Sequence, residues 1–506
     1  MGDGKTALAR RDDGFEAARL ARTLAGCHGE TLTGRSVLEN LLLAAAAVFG
    51  AVVMLPRALS YAFRQDEVAS AEIIVEPSPV DVAREVAAGE STPPAWYGLA
   101  WALHRLGLPV DHVRLASVVF TAALLVLVVL YARRLLPLWA AALAAFLAGA
   151  GWQVVRHGWE LRAYALLALA TVLLALLLER AVASATKGRL ALLAGVVALG
   201  ALTHYFFLFS LAASLLWLGI TPLARGVRRR CAVAAGIGLV PFALWLPGFA
   251  EQYDHQRFGW IGSFDGSAVV ELYYDLFARV PGVSERAAGL GMLAVVVGGC
   301  VVLARRSEQG RHVALLAVVP VVLAALAWLA GANIFVPRNF LGVAPFAAIA
   351  VAAAVTALPR RAALGAGLVV AALGATLLVR HGPSAPPDYE RIASVLVDQG
   401  WSPASPIAVV GPLYGTRAPL RWYLPGRPDL RAGSRRDRGC RTIFLVSWGE
   451  RSSEETLETF GTRLEEVGGA TVARLDGEGV LAAVPERAHL LGAAGAAQAC
   501  LRLRPL

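Results

Sequence analysis

Two carboxylates stand side by side in "YAFRQDEVAS" (61–70), Asp66 and Glu67, just past the apolar run "VLENLLLAAAAVFGAVVMLP". Three further stretches carry groups able to bind charge. They are "WELRAYALL" with Glu160, Arg162 and Tyr164, "LTHYFF" with His204 and Tyr205, and "VPRNFL" with Arg338. A carboxylate can take a proton from a hydroxyl. Cationic side chains can hold an anionic group and stabilise charge as it develops. Each residue alone has an ordinary explanation: a solvated loop pair, a snorkelling arginine, a histidine capping a helix end. The question is whether the elements bring them to one level.

Those elements are membrane helices. The chain has 506 residues, 57% of them hydrophobic, with a mean hydropathy of +0.59. No ordinary soluble protein of this size is so apolar. Eleven spans are expected near 38–56, 113–131, 137–153, 160–179, 189–204, 206–223, 231–249, 288–304, 312–331, 339–357 and 362–380. Most have the length that crosses a hydrocarbon core. The first 36 residues hold six basic and five acidic residues and no apolar core, so they read as a tail and not as a signal peptide. Lysine is scarce while alanine and arginine abound, as in a GC-rich bacterial genome.

Alternate loops carry fourteen basic residues against two acidic ones, Glu179 and Glu308. The intervening segments are acidic: 55–111 has four basic and eight acidic residues, and 250–287 has three and six. Basic loops face the cytoplasm. The expected topology therefore has a cytoplasmic tail at 1–36, a membrane domain at 37–383 with an external loop at 57–111, and an external C-terminus. The net charge of +10 is mostly this topology signal, which argues against a nucleic-acid partner. Asp66, Glu67, Glu160, Arg162, His204 and Arg338 then share the outer level, where ionisable groups face a cavity or one another. A lipid-phosphate sugar donor presents its sugar–phosphate bond at this depth. Its leaving group is a weak base that needs positive charge and no general acid.

From about 384 to 506 the character changes, with fifteen Arg and fourteen acidic residues. "PIAVVG" and "TIFLVS" read as buried strands. "SSEETLETFGTRL" reads as a helix capped by Ser452 or Ser453, and "ATVARLDGEGVLAAV" as a hairpin through Asp476-Gly477. A small external α/β domain is expected. The five cysteines (27, 231, 300, 440 and 500) have no metal-ligand spacing, and Cys440 and Cys500 could bridge in an oxidising compartment.

The order of these motifs resembles the C-type (GT-C fold) membrane glycosyltransferases, in the branch of the protein O-mannosyltransferases and the lipid A aminoarabinose transferase. The resemblance is carried by Gln65-Asp66-Glu67, "TPPAWYGLAWALHRLG" (92–107), "VRLASVV" (113–119), "WELRAYALLALA" (159–170), "THYF" (203–206), "PRNFL" (337–341) and "PDYERIASVL" (387–396). It is good over 38–222 and looser beyond. Thr92, Trp159 and Asn339 depart from the family pattern. The resemblance implies an inner-membrane hexosyl- or pentosyltransferase. It would move a monosaccharide, with inversion, from a polyprenyl-phosphate donor to a hydroxyl on an acceptor glycan, lipid or protein. Asp66 would be the base and Glu67 a positioning residue or second acid. Glu160, Arg162, Tyr164, His204, Tyr205 and Arg338 would line the donor site. Two carboxylates and a histidine could hold a divalent metal, but nothing in the sequence fixes its geometry.

Two other classes compete. A transporter or flippase of a lipid-linked sugar predicts midplane charges and repeated halves. The sequence places charges at one face and has no repeats. A scaffold presenting the C-terminal domain to a partner is compatible with that domain's balanced charge, which marks no site.

Overall fold

The computed structural model describes residues 36–254, 265–278, 283–380, 388–403, 405–410, 413–434, 442–447, 461–467, 470–476, 489–493 and 502–503. Residues 1–35 of the expected tail, Cys27, Cys440, Cys500, the Ser452/Ser453 cap and the expected turn at Gly477 lie outside them. The described chain divides into two compact units, one of residues up to 58 with 73–383, the other of 59–72 with 384 onward.

The first unit is helical. Helix α1 (Val37–Ser60) opens it; α2 (Gln65–Ile74), most of which belongs to the second unit, follows, and then α3 (Pro79–Gly89) and α4 (Ala95–Arg105). Then come α5 (Arg114–Ala132), α6 (Leu138–Ala150), the short α7 (Trp152–His157), α8 (Tyr164–Ala183), α9 (Lys187–Thr203) and α10 (Phe207–Ile220). The unit continues with α11 (Arg225–Asp254), the short α12 (Ser267–Tyr273), α13 (Glu285–Arg306), α14 (Glu308–Leu329), α15 (Ala344–Thr356) and α16 (Arg360–Arg380). Every apolar segment expected to span is helical. Among the described residues six helices are long and apolar enough to cross a membrane: α1, α5 with the turn before it, α8, α11, α13 and α14. α6, α10 and α15 are apolar but have only 13, 14 and 13 residues. Helix length thus supports six crossings in a polytopic membrane protein and leaves eleven an expectation.

Capping residues set several helix starts. Ser78 accepts from the Asp81 N–H ahead of Pro79, and Ser284 and Ser307 cap α13 and α14 in the same way. α8 is apolar all round and enclosed along its length, whereas α1, α11 and α13 expose most of theirs, as lipid-facing helices do. α8 packs on α5 and α9, α9 on α11, and α13 on α14 and α15. α13 and α15 touch at Gly299, where an added Cβ would run into the Ala350 carbonyl oxygen. At one end of the bundle Glu179 of α8 takes the Tyr131 hydroxyl at 2.5 Å, Arg134 Nη1 at 3.0 Å and His312 Nδ1 at 3.1 Å. That buried cluster joins α5, α8 and α14 in a region where unpaired charge would be costly.

The second unit is a mixed sheet under two helices, α17 (Tyr389–Asp398) and α18 (Leu413–Tyr423). Its strands are β1 (Ile407–Val410), β2 (Leu430–Ser434), β3 (Thr442–Ser447), β4 (Gly461–Val467), β5 (Ala470–Asp476), β6 (His489–Ala493) and β7 (Arg502–Leu503), in the order β4-β5-β3-β1-β6-β2-β7. β1 and β3 run parallel, with Ile407 opposite Phe444, and the other pairings are antiparallel. These two central strands are buried on both faces, which is why they read as unbroken apolar runs. Residues 461–464, expected to end a helix, instead begin β4, whose antiparallel partner is β5. A ladder along the β5 edge satisfies their backbone there, and pairing overrides local preference. Residues 59–72 are built into this unit. Ala62 joins its core, the Phe63 N–H donates to the Tyr423 hydroxyl at 3.0 Å, and Glu72 pairs with Arg421.

Candidate active site

The corner between α7 and α8 carries Glu160 and Arg162. The expected span began at 160, but the helix starts at Tyr164, so both residues sit in irregular backbone before it. That backbone is held from α5. Ser117 Oγ donates to the Glu160 carbonyl at 2.8 Å, Thr121 Oγ1 to the Gly158 carbonyl at 2.6 Å, and the Arg114 guanidinium lies 5.2 Å from the Trp159 ring centroid. Glu160 Oε2 meets His157 Nδ1 at 2.7 Å. Arg162 turns to Glu90 and makes two parallel bonds, Nη1 to Oε1 at 2.6 Å and Nη2 to Oε2 at 2.9 Å. This fork geometry suits a guanidinium and not an ammonium.

Glu90 opens the segment Glu90-Ser91-Thr92. The Thr92 hydroxyl lies 3.2 Å from the Tyr97 hydroxyl, and both residues are buried. Burial pushes the Tyr97 phenol well above its ordinary value, Arg162 draws it down, and Glu90 raises it again. The Thr92 carbonyl accepts from Gln252 Nε2 at 3.0 Å. One end of the segment is thus tied to the corner before α8 by an ion pair and the other to α11 by an amide.

Beside this segment lies a cavity of about 760 Å³. Ser91, Thr92, Tyr164, His204, Tyr205, Arg338 and Asn339 supply polar lining, with Asp254 at the end of α11. Phe206, Phe209, Phe242, Leu246 and Phe249 supply apolar walls. His204 terminates α9, where its Nδ1 accepts the Phe206 N–H at 3.2 Å. A neutral His204 ring therefore carries its proton on Nε2. Arg338 lies in a 3₁₀ turn (Pro337–Phe340), its guanidinium 5.9 Å from the Tyr164 ring centroid, and that ring is 5.8 Å from His204. The cavity thus gathers residues from before α4, the start of α8, the ends of α9 and α11, and the turn before α15.

Of the residues singled out in the sequence, Tyr164, His204, Tyr205 and Arg338 line this cavity. Glu160 and Arg162 do not; they stand behind the wall, bonded to His157 and Glu90. Asp66 and Glu67 open α2 within the second unit. Glu67 is fully buried and its Oε2 accepts the Arg64 N–H at 3.1 Å, as the acid of a capping box does. Asp66 is half-buried. No group of three or more His, Cys, Asp or Glu is placed to hold a metal among the described residues. Sequence reasoning missed Glu90, Ser91, Gln252 and Asp254. Gln252 and Asp254 had a usable signal, as polar residues ending a long apolar helix.

No protein-family model and no curated protein sequence matches the chain. Solved structures do, and they give the chain the fold of the C-type membrane glycosyltransferases. ArnT from Cupriavidus metallidurans in the apo state superposes with a TM-score of 0.54 at 13% identity, over 86% of this chain and 97% of that one. The same protein bound to undecaprenyl phosphate gives a TM-score of 0.50 at 14% identity, with the same coverage. At such identities the likeness is one of fold.

Proposed function

We propose that the chain is a membrane glycosyltransferase. It would move a monosaccharide from a polyprenyl-phosphate donor to an acceptor hydroxyl on the outer face of the inner membrane, with the tail at 1–36 cytoplasmic and the domain at 384–506 outside. The observation that carries this reading is the cavity in which Arg338, His204 and Tyr164 meet against aromatic walls. Its polar part suits a phosphate and its apolar part a lipid. The likeness in fold to a protein solved with undecaprenyl phosphate supports the choice of donor.

In the reaction the acceptor hydroxyl gives its proton to the Asp66 carboxylate and its oxygen attacks the anomeric carbon. The bond from that carbon to the phosphate oxygen breaks, and polyprenyl phosphate leaves with the bonding pair. Arg338 and the His204 N–H stabilise the charge gathering on the phosphate. Glu160 and Arg162 keep the corner before α8 in shape, and Tyr164 supplies the ring beneath Arg338. Tyr205 forms part of the wall. Glu67 holds the turn that presents Asp66.

The test is a comparison of Asp66→Asn with the parent chain in a deletion strain, scoring envelope glycans and lipid-linked sugars. The variant is expected to insert normally and to leave the unmodified acceptor and loaded donor in place. Restored glycan in that strain would remove Asp66 from the role of base.

A further inference from the structure

Gln252 is fully enclosed near the end of α11, and three of its polar contacts are satisfied at once. Its Nε2 donates to the carbonyls of Val86 at 2.9 Å and Thr92 at 3.0 Å, and its Oε1 takes the Tyr205 hydroxyl at 2.5 Å. Carbonyl oxygens only accept, so the amide nitrogen must face Val86 and Thr92, and Tyr205 must be the donor to Oε1. The Tyr205 oxygen in turn accepts the indole N–H of Trp245 at 3.1 Å. Trp245 lies two helical turns before Gln252, on the same side of α11.

This arrangement spends the Tyr205 proton. The phenol has none left for a phosphate oxygen, so Tyr205 serves the cavity through its ring, held 5.0 Å from Phe249 and 6.1 Å from Phe242. The same amide holds Thr92, whose neighbour Ser91 also lines the cavity. One side chain therefore sets the relative position of two cavity walls and the helix between them.

We infer that Gln252 is a positioning residue for the lipid-phosphate ligand of this cavity. It fixes Tyr205 and the Ser91-Thr92 segment in an arrangement in which all three of its hydrogen bonds are made. The inference rests on the proposed reading of the cavity. Leucine in its place would orphan the Thr92 carbonyl and take from the Tyr205 hydroxyl its acceptor. Glutamate would set an acceptor against two carbonyls. Neither change touches Arg338 or His204.

The experiment uses the full chain in lipid nanodiscs with undecaprenyl phosphate as the probe. Gln252→Leu is expected to weaken binding about tenfold, the scale set by stranded buried hydrogen-bonding groups. Tyr205→Phe keeps the ring and loses the bond to Gln252 Oε1 and the one from the Trp245 N–H, while both carbonyl ties of Gln252 stay made, so it is expected to weaken binding by only about threefold. The double variant should bind no worse than Gln252→Leu, because both changes break one tie. Tyr131→Phe, in the remote Glu179 cluster, controls for a fall in melting temperature and is expected to leave affinity unchanged. Unchanged affinity in Gln252→Leu, additive losses in the double variant, or an equal loss in Tyr131→Phe would each overturn the positioning role. Failure of the parent chain to bind the probe would overturn the reading of the cavity and this inference with it.

Discussion

Glu90 and Arg162 face each other through two parallel hydrogen bonds of 2.6 and 2.9 Å across 72 residues of sequence, both side chains almost wholly buried. Removing one partner leaves an uncompensated charge in the interior. Glu90→Ala is expected to cost roughly 3–5 kcal/mol, and Arg162→Lys to destabilise as well, since an ammonium cannot reproduce the fork. Replacing both with well-packed apolar residues should recover most of the stability. Thermal unfolding of the three variants in nanodiscs checks this order.

The pair Asp66 and Glu67 separates by experiment, because the Glu67 carboxylate holds the turn by accepting the Arg64 N–H. Glu67→Ala is expected to cost about 1 kcal/mol through the lost cap. Glu67→Gln keeps an acceptor for the Arg64 N–H and should restore much of it. Asp66→Asn should leave the unfolding temperature alone while abolishing transfer. A large stability loss in Asp66→Asn would assign it a structural role.

Gly299 and Gly298 are neighbours with opposite surroundings. A Cβ at Gly299 meets the Ala350 carbonyl, while one at Gly298 meets nothing within 4 Å. Gly299→Val is expected to push α13 from α15 and cost about 1–3 kcal/mol or more. Gly298→Ala should leave stability unchanged or slightly raised. Yield and melting temperature of the two variants, side by side, read this directly.

Tyr97 gives an alkaline signature. Its phenol is raised by burial, so the folded chain holds the neutral form where the unfolded chain ionises. The stability from this group is complete below the ordinary tyrosine value of about 10 and is lost as pH climbs beyond it toward the folded value. Melting temperature measured from pH 8 upward should fall more steeply above pH 10 in the parent than in Tyr97→Phe. Parallel curves would show that Tyr97 does not carry this dependence.

Several parts of the protein were legible from the sequence alone. Hydropathy and length located the helices, since the cost of exposing apolar residues to water adds up locally along a segment. The runs around Ile407 and Ile443 announced buried strands for the same reason. Tyr164, His204, Tyr205 and Arg338 were found because an ionisable or polar group at the end of an apolar helix needs a partner or a cavity.

Only the tertiary structure decided who those partners are. It turned Arg162 to Glu90, set Gln252 against Thr92 across 160 residues, and made residues 59–72 part of the unit that holds the C-terminal sheet. It also converted the expected helix end at 461–464 into a strand, because β5 offered a ladder. Local sums of hydropathy carry no information about which helices cross or which edge lies open. A hydrogen bond between distant residues depends on both, and it is fixed only when the chain packs.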